Sequence, residues 1–167
     1  MPANTFSTEL AGVNLTATYS SIGVAPFALG VTTALNDGGR AMFVCSSISA
    51  VSTFAAVVIA ENYKTNMLTT GNARSSGNQV AFAQTSIGTG YCGWVQFGGR
   101  PKVNLATNCA PFVQLYTTAT AGVLDDATVS GSGGMVMGVF AAVSISNATA
   151  VTCMSHNGPF VQPLVGS

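Results

Sequence analysis

Apolar residues in this chain come in short runs, often with every second position polar, and Gly, Ser, Thr and Asn cluster between the runs. No stretch sustains the i, i+3, i+4 spacing of an amphipathic helix, so the pattern predicts strands and turns. Segments 30–34 and 40–48 read as strands around the turn signal Asn36-Asp37-Gly38-Gly39, where two glycines can take positive φ. Segment 50–60 is ambiguous: its alanines suit a helix, while Val57, Val58 and Ile59 are β-branched, and a buried strand over 53–60 is preferred. Further strands are predicted at 79–85, 91–97, 102–105, 112–118, 135–144, 148–154 and 160–164, with a turn at Asn157-Gly158-Pro159 before the last.

The stretch 88–105 stands out because it carries the only tryptophan, Trp94. Two extended segments flank Gly98-Gly99 and read as a β-hairpin with Trp94 as a core anchor. A faint internal echo links 80–99 with 139–158: apolar strand, polar turn, apolar strand, then Gly. Residues 1–25 are polar, with scattered apolar positions and no sustained period, and read as an extended N-terminal arm preceding a single β-rich domain, 26–167. The expectation is an all-β fold, a small β-barrel or β-sandwich of about nine short strands. At 167 residues the chain is long enough to bury roughly 70% of its unfolded surface.

Charge changes the picture. Five basic and five acidic residues make the chain 6% charged with a formal net charge of zero, against about 25% charged in an ordinary domain. Net charge near zero favours association, so the surface must be uncharged polar or covered by neighbours. Clustered Lys and Arg for phosphate neutralisation are lacking, which argues against nucleic acid. The most apolar window, 135–153, is interrupted by Ser144, Ser146, Asn147, Thr149 and Thr152, and two strands with a turn explain it better than a membrane span. The N-terminal residues lack the basic and apolar regions of a signal peptide, so synthesis in a cytoplasm is expected.

Candidate chemistry is sparse. Cys45, Cys92, Cys109 and Cys153 are widely spaced, without the close pairs that zinc requires, and are expected to be reduced, buried thiols. Cys153 and His156 are the tempting catalytic pair, but three residues apart on a strand they face opposite ways. Asp125-Asp126 could contribute to calcium binding, yet adjacent acids more often cap or solvate a turn. No phosphate-binding loop or dinucleotide fingerprint is present. No catalytic, cofactor or metal residue is assigned, and an enzyme is not expected. Arg100 and Lys102, the one local basic pair, are the candidate subunit-interface residues.

Four stretches carry a family resemblance: NDGGRAMFV at 36–44, YCGWVQFGGRPKVNL at 91–105, FVQLYTTATAGVLDDAT at 112–128 and MVMGVFAAV at 135–143. In these the chain resembles the capsid decoration, or cement, proteins of tailed bacteriophages. The resemblance implies a non-enzymatic structural virion protein that binds and stabilises a preassembled shell. Its implied partner is the major capsid protein, and its implied state a homo-oligomer, a trimer above others. It would be made in the host cytoplasm and end on the capsid surface, with no cofactor, nucleic acid or membrane involved. A phage tail or fibre protein is the near alternative, and a secreted adhesin or carbohydrate-binding module the alternative from another class.

Overall fold

The structure is a computed structural model that describes residues 13–73, 79–127 and 133–163. It is all-β, with one 3-10 turn at Ile22–Val24 among the described residues. The strands are β1 Thr18–Tyr19, β2 Thr32–Ala34, β3 Arg40–Ser46, β4 Ala56–Ile59, β5 Lys64–Met67 and β6 Gln79–Ala83. They continue as β7 Cys92–Gln96, β8 Lys102–Leu105, β9 Leu115–Thr117, β10 Leu124–Asp125, β11 Gly134–Ala141 and β12 Thr149–Pro163. The ambiguous segment is a strand: β4 is Ala-Val-Val-Ile and wholly buried, as β-branched residues covered on both faces require.

The pairings close two rings. In the first, β3 pairs β5, β5 pairs β4, β4 pairs β6, β6 pairs β7, and β7 returns to β3. In the second, β8 pairs β10, β10 pairs β9, β9 pairs β11, β11 pairs β12, and β12 returns to β8. Both rings run first, third, second, fourth, fifth, and in both only the first and third strands are parallel. Closure of this kind removes free sheet edges.

The likeness extends to single bonds. Phe54 N–H donates to Ala83 O, and Phe112 N–H to Ala141 O; Ile87 N–H donates to Val51 O, and Ile145 N–H to Cys109 O. Phe54 and Phe112 both sit in the left-handed region, at φ 61 and 57, a repeat of 58 residues. Cross-strand pairs match as well: Phe82 faces Gln96 as Phe140 faces Met154, and Ala83 faces Val95 as Ala141 faces Cys153. The chain is thus one barrel plan used twice. The echo expected between 80–99 and 139–158 is the end of this repeat, displaced by one residue.

Alternation along the strands divides the apolar residues. Met42, Val44, Val57, Ala81 and Val95 fill barrel one. The opposite faces of β4 and β6, with Ala56, Val58, Val80 and Phe82, join the cluster that also holds the barrel-two residues Leu115, Val139, Ala141 and Cys153. Outward residues of β3 and β7, including Phe43 and Trp94, are covered by the N-terminal segment through Val13, Leu15, Tyr19, Phe27 and Leu29. Trp94 is therefore a core residue, 1% exposed, but it lies between barrel one and its N-terminal cover rather than inside the barrel.

Three expectations are corrected. The segments flanking Gly98-Gly99 are not a hairpin: β7 belongs to barrel one and β8 to barrel two, so the glycines form the crossing between barrels. Residues 157–159 do not end a strand. β12 runs through them, with a register shift between Met137 and Val139 on its partner, and Phe160 reaches Gln79 of barrel one. The four cysteines are not all thiols: Cys45 and Cys92 form a disulfide, while Cys109 and Cys153 are free and buried. Cys45 N–H bonds Tyr63 O on the far side of β3, which makes Cys45 and Cys92 a non-hydrogen-bonded pair, the kind whose side chains approach most closely.

Candidate functional site

Two adjoining surface grooves, of about 400 and about 310 Å³, share Phe140 and His156. β11 supplies Phe140 and β12 supplies Met154, Ser155 and His156; the β2–β3 turn adds Asp37 and Gly38, and the inter-barrel crossing adds Gly99 and Arg100. The second groove continues onto Phe112, Val113 and Gln114.

Most polar groups around the first groove are already engaged in holding the fold. Asp37 Oδ1 accepts from Gly39 N–H at 2.9 Å, and Oδ2 accepts from Arg100 N–H at 2.8 Å and from Gln96 Nε2 at 3.0 Å. The same Gln96 nitrogen donates to Gly98 O at 2.8 Å. Gly99 and Ser155 exchange backbone bonds of 3.0 and 2.9 Å. A Cβ on Gly39 would run into the Gly98 carbonyl, so the two Gly-Gly turns touch backbone to backbone.

Asp37, Ser155 and His156 are residue types of acyl transfer, and they line one groove. Their bonds form no relay. Ser155 Oγ donates to the His156 backbone carbonyl at 3.2 Å, and the Asp37 carboxylate is taken up as above. Cys153 is buried and His156 exposed, on opposite faces of β12. What the grooves offer a partner is apolar surface from Phe112, Phe140 and Met154 beside an imidazole.

A second cluster was only half visible in the sequence. Asp125 and Asp126 are joined by Cys109, and one ligand atom from each lies within 4.8 Å of the others. Asp126 Oδ2 accepts from Ala110 N–H, and Asp125 Oδ1 from Asp126 N–H, both at 2.8 Å. Burial, with added repulsion from Asp126 and Asp125, pushes the Cys109 thiol up to about 11. Burial also raises Asp125, helped by its hydrogen bond with Asp126. These three side chains could hold a cation, but the thiol would first have to lose a tightly held proton. Cys109 was missed because it reaches the acids through barrel closure, not through sequence proximity.

The basic pair is split by the fold. Lys102 lies at the junction between barrels, its Nζ 5.5 Å from the centre of the Phe54 ring, while Arg100 lines the first groove. Among the described residues no helix is long and apolar enough to cross a membrane. No family model matches the chain, and no curated protein matches it.

Proposed function

We propose that this chain is a structural virion protein, a decoration protein that binds and stabilises a phage capsid shell. The observation that carries the reading is a double barrel of scarce charge that leaves large apolar side chains exposed on its surface. Ile48 is 82% exposed, Phe112 68%, Val24 63% and Val143 55%. Exposed apolar side chains on a chain with only ten charged residues suit permanent burial against protein neighbours. The resemblance in the turn and strand motifs supplies the class of neighbour, a preassembled shell with the major capsid protein as partner. Lys102 already serves an internal interface, which leaves Arg100 as the basic candidate for an external one.

Mass spectrometry of purified virions tests this reading. A shell component is expected in hundreds of copies per particle, whereas absence or a handful of copies rejects decoration, the latter in favour of a tail or fibre position. The Cys45–Cys92 bond favours one other reading, a module that works outside the cell, where disulfides persist. A virion surface meets the same condition once released, and glycan-array binding by the isolated protein would separate the two.

A further inference from the structure

We propose that Cys109, Asp125 and Asp126 form a binding site for a divalent cation of the zinc class, one that accepts sulfur and oxygen donors together. The proposal rests on the barrel repeat and on the geometry of this cluster, and stands independently of the shell reading.

Barrel one shows what the same places hold when no polar chemistry is needed. Cys109 stands for Val51, since each carbonyl accepts the N–H of the matching isoleucine, Ile145 or Ile87. Asp125 faces Tyr116 as Asn66 faces Val58, 58 residues earlier, which puts Asp126 in the place of Met67. Val51 and Met67 belong to one apolar cluster. In barrel two their places hold a thiol and a carboxylate, with a second carboxylate beside them. A chain with five acidic residues puts two of them here. Among the described residues neither is ion-paired with Lys or Arg.

The three donors come from two segments that meet through barrel closure. One ligand atom of each lies within 4.8 Å of the other two, against a separation of roughly 3.5 Å around a tetrahedral centre with metal–sulfur and metal–oxygen bonds of about 2.3 and 2.1 Å. The Cys109 thiol is completely buried and gives no hydrogen bond to either carboxylate; its one bond is a 3.8 Å contact with Ala110 O. Each carboxylate is fixed through one oxygen, Asp126 Oδ2 by Ala110 N–H and Asp125 Oδ1 by Asp126 N–H. The other oxygen of each is then oriented as outer hydrogen bonds orient metal ligands. Both acids are half-buried, so water can complete the coordination from the solvent side while Cys109 closes it from the core. Sulfur among the donors selects against calcium and magnesium, which take oxygen. Binding exchanges a proton for the metal. The Cys109 S–H bond breaks, a sulfur–metal bond forms, and the proton leaves to solvent, so affinity rises with pH.

Cobalt(II) added to chelator-treated protein tests the site. With the Cys45–Cys92 bond intact, Cys109 and Cys153 are the only thiols. Wild type should develop a thiolate-to-cobalt charge-transfer band that saturates at one equivalent and is bleached by zinc(II). Cys109→Val, which restores the barrel-one residue type, should lose the band, and Cys153→Val should keep it. Asp126→Asn retains an oxygen for the Ala110 N–H, yet should bind cobalt(II) at least about tenfold more weakly, since outer partners alone contribute 10–100-fold. Unchanged Trp94 emission should confirm folding in each variant. A wild type without the band overturns the site, and cobalt absorption lacking sulfur character means a surface His or carboxylate has bound instead. A band that persists in Cys109→Val, or one lost only in Cys153→Val, also overturns it. Virion copy number is read separately, so failure of one reading leaves the other standing.

Discussion

The Asp37 carboxylate accepts a 2.8 Å hydrogen bond from the backbone N–H of Arg100, fastening the tip of the β2–β3 turn to the crossing between the two barrels. It also holds the Gln96 amide and closes its own turn at Gly39. Hydrogen bonds to a charged group contribute about 1.5–3 kcal/mol. Asp37→Ala should lower unfolding free energy by about 2–3 kcal/mol in urea titration. A loss below about 0.5 kcal/mol would show that water replaces these bonds without cost.

Thiol counting checks the cysteine assignment. Under non-reducing conditions the native protein should react slowly with a thiol reagent at pH 8, because Cys109 and Cys153 are buried and protonated, and the denatured protein should show two thiols. Four thiols after denaturation would reject the disulfide. The bond closes a loop between positions 47 residues apart, which in the chain-entropy model amounts to about 4 kcal/mol. Reduction should depress the melting temperature accordingly.

Alkaline pH should weaken the fold through the same two free cysteines. Burial, then Asp126 and Asp125, raise Cys109 to about 11; burial, then Cys109, raise Cys153 to about 12; the ordinary value is 9.0. Below pH 9 both folded and unfolded chains hold these protons, and the contribution is complete. Above it the unfolded chain releases them while the folded chain keeps them, so stability falls as pH rises from about 9 toward about 12. Urea midpoints across this window should drop less steeply in Cys153→Ala than in wild type. Parallel curves would mean that the thiols do not set the alkaline limb.

Trp94 packs edge-on against Phe27 and Phe43, with ring centres 5.0 and 5.3 Å away. Trp94→Ala should cost about 3–5 kcal/mol, as large-to-small core changes do. The loss includes the grip on the N-terminal cover, so limited proteolysis should cut before residue 35 faster in the variant. An unchanged unfolding midpoint would contradict the burial of this side chain.

Much of the fold was legible because β-branched runs and Gly-rich turns mark strands locally. Trp94 as a core residue and β4 as a strand followed from side-chain type alone. Partner choice did not follow. Gly98-Gly99 has the same turn chemistry whether the chain folds back on itself or crosses to a new barrel, and only pairing over long separations distinguishes the two. The Cys45–Cys92 bond and the meeting of Cys109 with Asp125 and Asp126 are products of ring closure for the same reason. The repeat left a usable trace: Phe54, Phe82, Ala83 and Ile87 recur as Phe112, Phe140, Ala141 and Ile145. Between them most interior positions changed type while remaining apolar, which erased the identity but kept the period.

β12 has a mechanical consequence. It completes barrel two against β8 and β11, then continues until Phe160 pairs with Gln79 of barrel one. Tension applied along this strand loads many parallel hydrogen bonds in shear instead of unzipping them singly. The two barrels would then resist stretching as one stiff unit, and the first element to yield under load should be the N-terminal cover on barrel one, whose β1 is only two residues long.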